Sequence, residues 1–138
     1  VPPLLGLAQK YGKNGTAALG FRSKEAVILE KDFAAVGSTV KIATDDGSVG
    51  HHGFAADFLE ETPFDLCYAC GPKPMLKAVS KLCKQMNKPC WISLEERMAC
   101  GIGACLGCAV ELKRSNGESY YGHVCKDGPV FSSEEVVL

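Results

Sequence analysis

The sequence predicts an α/β fold with a mainly parallel sheet, followed by a small C-terminal domain of a different kind. Short apolar runs alternate with helical patterns up to about residue 94, which is typical of a parallel sheet covered by helices. Beyond that point glycine and cysteine replace the helical pattern. We therefore expect one domain over residues 1–94 and a second over residues 95–138.

Hydrophobic periodicity and turn residues place the elements of the first domain. The predicted strands cover residues 17–21, 39–43, 66–69 and 90–94. Helices are predicted from Pro2, from an N-cap at Ser23 to a stop at Gly37, over residues 54–59, and after Pro72. The helix after Pro72 has the strongest pattern, because apolar residues mark one face and lysines mark the other.

The second domain contains a predicted β-hairpin. Residues 109–113 and 119–124 have strand character, and Asn116-Gly117 between them is a hairpin-turn signal. A hairpin here would bring Cys125 back beside Cys108, although the two cysteines are separated by 17 positions (125 − 108).

Four cysteines of the second domain carry the strongest chemical signal. Cys100, Cys105 and Cys108 have Cys-x4-Cys-x2-Cys spacing, and Cys125 follows later, which is the ligand pattern of a plant-type 2Fe-2S cluster. Glycine stands beside each of the three clustered cysteines. Glycine allows the tight loop that such a cluster needs and lets backbone N–H groups approach the sulfur atoms. We predict that these four cysteines are the metal ligands.

Two other uses of the cysteines compete with this prediction. A disulfide framework is typical of short secreted chains, but this sequence shows no signal peptide and is hydrophobic enough, at 46%, to build an ordinary core. A zinc site could use the pairs Cys67-x2-Cys70 and Cys105-x2-Cys108. The zinc alternative leaves Cys100 and Cys125 unexplained.

Charge and hydropathy exclude further classes. A net charge of −1 and a pI near 6.3 argue against nucleic acid as a partner, because phosphate binding needs a clustered positive surface. No apolar run approaches the length that spans a bilayer. We expect a cytoplasmic protein, and the opening Val1-Pro2-Pro3 without an initiator Met suggests a piece of a longer chain.

Two glycine-containing turns predict a nucleotide site on the first domain. Both follow predicted strands and lead into helices, where free N–H groups favour an anion such as pyrophosphate. Ordinary turn chemistry is the alternative explanation for their glycines. The predicted cofactor-binding residues are Gly47, Ser48, Gly50, Gly71, Pro72 and Met75.

Residues 93–108 closely resemble the electron-transfer subunits of the NAD-dependent bacterial dihydroorotate dehydrogenases. Residues 70–75 look like the signature that ends the nicotinamide domain of the ferredoxin reductase-like family, and residues 44–50 are similar to a loop of the same subunits. The resemblance implies a Rossmann-like NAD-binding domain whose first strand is missing here. It also places Cys70, as a catalytic residue, where the nicotinamide meets the flavin.

The resemblance implies cofactors and a partner for the intact protein. Family members hold FAD on an N-terminal β-barrel, which this sequence does not contain. In pyrimidine biosynthesis, their electrons pass from dihydroorotate through FMN in a catalytic partner subunit, the 2Fe-2S cluster and FAD to NAD+. The implied assembly is a heterotetramer. Arg22 and Lys24 would suit the extra phosphate of NADP, whereas the resemblance favours NAD.

Two other functions remain open at this point. One is the flavin and iron-sulfur subunit of a ferredoxin:NAD(P) reductase or a hydrogenase, which shares the nucleotide domain. The other is a zinc-stabilised interaction module, in which the α/β half would serve as a docking platform.

Overall fold

The computed structural model describes all 138 residues, which form two compact units, Val1–Pro63 and Phe64–Leu138. Both units are built on short parallel strands joined through helices, so the predicted α/β class is confirmed. The domain boundary expected after residue 94 stays a prediction.

Unit 1 contains a three-stranded parallel sheet in the order β1-β2-β3. Leu19, Phe33 and Ala43, from β1, α2 and β2, form its buried apolar core. The helices are α1 (Pro2–Tyr11), α2 (Glu30–Ala35) and α3 (Phe58–Glu61), and the strands are β1 (Thr16–Phe21), β2 (Thr39–Thr44) and β3 (His51–His52). Three 3₁₀ turns, Gly12–Asn14, Lys24–Ala26 and Ala55–Asp57, lie between them.

The continuous helix predicted from Ser23 to Gly37 is wrong. The chain forms the 3₁₀ turn Lys24–Ala26, becomes extended at Val27, and starts α2 only after Leu29, whose φ is 63°. A left-handed residue cannot continue an α-helix, and Ser23 makes no side-chain capping bond. Only the end of the helix was predicted correctly, since Gly37 has a φ of 88° directly after it.

Two smaller differences concern the stretch after β2. The helix predicted over residues 54–59 is split into the 3₁₀ turn Ala55–Asp57 and the α3 helix Phe58–Glu61. His51–His52, where no strand was predicted, forms the short strand β3 and pairs with the end of β2.

Unit 2 begins with a β-α-β crossover. The strands β4 (Cys67–Cys70) and β5 (Cys90–Ser93) are parallel neighbours, and α4 (Lys73–Gln85) connects them. Leu76, Val79 and Cys83 form the buried face of α4, as the apolar periodicity predicted. No helix of either unit combines the length and the apolar character needed to cross a bilayer.

The remainder of unit 2 is a hairpin, a short helix and a returning strand. The hairpin strands β6 (Ala109–Lys113) and β7 (Ser119–His123) are antiparallel, as predicted. The helix α5 (Val124–Asp127) and the strand β8 (Val130–Ser132) were not predicted. β8 pairs antiparallel with β5, so the segment that contains the four predicted ligands leaves β5 and returns to it.

Candidate metal centre

The four predicted ligands lie close together in unit 2. Cys100 and Cys105 lie in the loop before β6, Cys108 directly precedes that strand, and Cys125 lies in α5. The Val124 N–H donates a hydrogen bond to the Cys108 carbonyl at 3.1 Å. The hairpin therefore returns Cys125 to the side of Cys108, as the turn signal predicted.

The four sulfur atoms form two pairs. The Cys125 N–H donates to Cys108 Sγ at 3.5 Å, and the neighbouring Cys105 thiol contributes, after the Ile102 N–H, to lowering the pKa of Cys100. No three of these four sulfur atoms lie within 4.8 Å of one another. A tetrahedral zinc site would need its sulfur ligands only about 3.8 Å apart, given zinc–sulfur bonds of about 2.3 Å. Two separate pairs instead suit two metal atoms with two protein ligands each.

Backbone N–H groups point at the sulfur atoms. Ala104 N donates to Cys100 Sγ at 3.3 Å, Gly107 N to Cys105 Sγ at 3.4 Å, and Cys125 N to Cys108 Sγ at 3.5 Å. N–H groups in these positions favour the thiolate form, which is the form that ligates metal. The four cysteines therefore suit an iron-sulfur cluster, because their ligand atoms are sulfur and because backbone N–H groups donate hydrogen bonds to them.

The loop needs glycine where it turns most sharply. Gly101 and Gly103 have φ values of 69° and 76°, a left-handed conformation that other residues adopt only with strain. A Cβ atom on Gly103 would also lie 2.6 Å from Cδ of Lys126. The predicted role of these glycines, a tight turn around the metal, agrees with this geometry.

Hydrogen bonding shifts the pKa values of Cys100 and Cys125 in opposite directions. The pKa of Cys100 is lowered to about 6, first by the Ile102 N–H and then by the Cys105 thiol. The pKa of Cys125 is raised, chiefly because its thiol donates to Cys108. Cys100 therefore loses its thiol proton at a lower pH than Cys125 does.

This difference predicts selective alkylation of the iron-free chain. Because the pKa of Cys100 is lowered, its thiolate forms above about pH 6, and roughly nine-tenths of it is ionised at pH 7. Iodoacetamide at pH 7 should modify Cys100 well before Cys125, and the rate at Cys100 should fall as the pH drops through 6. Peptide mass spectrometry measures both rates. Equal rates at the two positions would contradict the assigned hydrogen bonds.

The residues predicted around the nicotinamide lie at the end of β4. Cys70 is the last, buried residue of that strand, and its thiol donates to Glu95 Oε1 at 3.8 Å. Pro72 is the N-cap of α4, and Met75 lies in its first turn with its methyl group against Gly71. The contact with Glu95 was not predicted, since its sequence separation of 25 positions leaves no local signal.

A second contact that the sequence did not predict lies near the end of β4. Lys73, at the start of α4, forms an ion pair with Glu96. The lysine face of this helix was predicted from periodicity, which gave no indication of this ion pair. Its side chain is 60% exposed, and such pairs contribute little to stability.

The predicted residues Gly47, Ser48 and Gly50 form a separate turn in unit 1, after β2. Ser48 Oγ donates to Asp46 at 2.6 Å and accepts the Lys24 N–H at 2.7 Å. The Ser48 hydrogen bonds also lower the pKa of Asp46. These hydrogen bonds account for the conformation of the turn without a bound ligand. Its role in cofactor binding stays a prediction.

The geometry does not support the zinc alternative. Cys67 and Cys70 are three residues apart on β4, and side chains alternate between the two faces of a strand. Cys67 lies with Cys83 and Cys90 within 4.8 Å, whereas Cys70 contacts Glu95. The two cysteines therefore cannot ligate one zinc ion together.

Comparisons with known proteins agree with the metal chemistry. Residues 95–137 match the family described as the iron-sulfur cluster binding domain of dihydroorotate dehydrogenase B. The whole chain is 50% identical to the dihydroorotate dehydrogenase B (NAD(+)) electron transfer subunit of Geobacillus sp. strain WCH70 and covers 54% of it. It is 47% identical to the subunit of the same name from Caldanaerobacter subterraneus subsp. tengcongensis and covers 56% of that protein.

A solved structure supports the same fold. The chain matches an NADH-dependent reduced ferredoxin-NADP oxidoreductase, described for flavin-based electron bifurcation, with a TM-score of 0.78 and 31% identity. The match covers 98% of this chain and 48% of that one. The chain thus spans about half the length of the proteins it matches. Residues 95–137 thus match this family's iron-sulfur cluster binding domain, and the whole chain is similar to part of the electron transfer subunit.

Proposed function

We propose that this chain is the nucleotide-binding and iron-sulfur part of a dihydroorotate dehydrogenase B electron-transfer subunit. The main observation in support is that four cysteines, with backbone N–H groups directed at three of their sulfur atoms, lie in a segment that matches the family's cluster-binding domain. In this role the whole protein passes electrons from dihydroorotate to NAD+.

Cys100, Cys105, Cys108 and Cys125 would hold a 2Fe-2S cluster, with Cys100 and Cys105 as one pair and Cys108 and Cys125 as the other. When bound, the cluster supplies a redox centre that takes up one electron at a time. The N–H groups of Ala104, Gly107 and Cys125 already point at three of the sulfur atoms. Such hydrogen bonds stabilise negative charge on sulfur and thereby raise the reduction potential.

Nucleotide contacts are proposed separately for the two turns predicted to make them. In unit 2, Pro72 leaves the first N–H groups of α4 free for an anion, and Gly71 and Met75 would line this turn. In unit 1, Gly47, Ser48 and Gly50 are proposed to contact the cofactor through their own turn. Cys70, held by Glu95, would act where hydride is exchanged. FAD completes the proposed set of cofactors and belongs to the intact protein.

The partner is proposed to be the FMN-containing catalytic subunit, in a heterotetramer. The names of the relatives describe an electron transfer subunit, which needs a second subunit to supply electrons. Apolar side chains on the cluster loop are unusually exposed, with Ile102 at 74% and Leu106 at 79%. Exposed apolar groups around a redox loop suit an interface. The cytoplasmic location stays a prediction.

Reconstitution tests the cluster directly. The purified chain, incubated anaerobically with ferrous iron and sulfide, should bind about two irons and two acid-labile sulfides and become coloured. Dithionite should then produce the paramagnetic signal of a reduced 2Fe-2S centre. One zinc and no colour would instead support the interaction module, and a colourless, metal-free chain would contradict both functions.

The full-length complex tests the rest of the proposal. With the catalytic subunit and dihydroorotate, it should reduce NAD+ to NADH. A second candidate function, a ferredoxin:NAD(P) reductase, is favoured by the 31% identical solved structure. Failure with dihydroorotate but activity with reduced ferredoxin and NADP+ would select that candidate.

A further inference from the structure

A second cysteine cluster lies in unit 2, separate from the four predicted ligands. The sulfur atoms of Cys67, Cys83 and Cys90 all lie within 4.8 Å of one another. They come from three different elements, β4, α4 and β5 respectively. Cys67 and Cys90 are directly opposite each other in the parallel pair, and α4 brings Cys83 onto the same face.

The spacing suits a three-coordinate metal ion. Three sulfur atoms at about 2.3 Å from a central ion are roughly 4 Å apart in a trigonal arrangement. The observed spacing, within 4.8 Å, therefore requires only a small contraction. No histidine, aspartate or glutamate joins the group, so the tetrahedral coordination preferred by zinc lacks a fourth ligand of these types.

The surroundings also suit a sulfur-bound ion. Cys83 and Cys90 are buried, at 0% and 4% exposure, whereas Cys67 is partly exposed and offers an entry path. The Ser133 N–H donates to the Cys90 carbonyl at 2.9 Å, which holds the backbone at one of the three cysteines in place.

We propose that Cys67, Cys83 and Cys90 form a binding site for a soft monovalent d10 cation, Cu(I), in trigonal all-sulfur coordination. Thiolates select such soft ions over hard ones. Buried cysteines also pack as small apolar residues, but packing alone does not require three sulfur atoms from three elements to converge on one point. Binding releases thiol protons and links β4, α4 and β5 through a single ion.

A copper titration of the cluster-loaded chain tests the site. Cu(I) is added anaerobically against a chromophoric Cu(I) chelator, and the cluster absorption is followed in the same sample. We expect one copper per chain to resist the chelator while the cluster colour is unchanged. The Cys67→Ala variant should lose this copper, because only two sulfur ligands remain. Cys67 is partly exposed, so this variant should keep its fold.

Cys70→Ala is the matched control, since Cys70 lies on the same strand but outside the cluster, and it should retain the copper. X-ray absorption at the copper edge of the wild-type chain gives an independent measurement and should show three sulfur neighbours. Absence of resistant copper, its retention by Cys67→Ala, or bleaching of the iron chromophore in proportion to added copper would each overturn the proposal. The first and second of these outcomes leave the iron-sulfur function intact.

Discussion

Serine in place of any one of Cys100, Cys105, Cys108 and Cys125 should abolish the visible absorption of the reconstituted chain. In the proposed site each cysteine would supply one of the four thiolates that a 2Fe-2S cluster needs, and a serine hydroxyl is a poor ligand for iron at neutral pH. Iron content should fall from about two atoms per chain to less than about a tenth of that. Optical spectra and iron analysis after anaerobic reconstitution measure the loss.

The cysteines of the other cluster provide the matched controls. Serine at Cys67, Cys83 or Cys90 should leave the iron chromophore in place, because these residues form a separate group. Circular dichroism confirms that each variant is folded before its iron is compared. Loss of colour in this second set alone would show that the iron ligands have been assigned to the wrong cysteines.

The Gly50→Ala substitution should strongly destabilise unit 1. Gly50 has a φ of 71°, and a Cβ atom there would overlap the carbonyl oxygen of Ile42 on β2. The left-handed conformation alone costs about 1–2 kcal/mol for a residue with a Cβ, and the backbone overlap adds to it. We expect a loss of at least about 3 kcal/mol, or a fall in Tm of about 10 °C.

The Gly117→Ala substitution separates the cost of the left-handed conformation from the cost of the steric overlap. Gly117 has a similar φ of 87°, but a Cβ atom there meets nothing within 4 Å. This variant should lose only about 1 kcal/mol, the cost of the conformation itself. If thermal unfolding gave the same Tm for both variants, the close approach of Gly50 to β2 would be refuted.

The sequence predicted the elements with strong local signals. The helix α4 was predicted because its apolar residues recur on one face, and the β6–β7 hairpin because Asn116-Gly117 is a turn signal. The helix between Ser23 and Gly37 was predicted wrongly, because Leu29 adopts a left-handed conformation that its residue type does not favour. That conformation is a consequence of tertiary context.

The sites were predictable to different degrees. The four proposed iron ligands were predicted from their spacing and the glycines beside them, and the structure places all four in unit 2. The group of Cys67, Cys83 and Cys90 depends on the register of β4 against β5, which no local pattern specifies. Alternation along β4 places Cys67 and Cys70 on opposite faces, but the strand was predicted only to residue 69, so this argument against zinc needed the structure, in which β4 includes Cys70.

The strand β8 has a mechanical consequence for the redox segment. The chain leaves the sheet at Ser93 and rejoins the same strand at Val130, and the Leu94 N–H is bonded to the Pro129 carbonyl at 2.9 Å. The segment is therefore tethered at both ends rather than hanging from one hinge. Such a double anchor restricts swinging of the segment, so the proposed cluster would transfer electrons by tunnelling from a fixed position and not by moving between its neighbours.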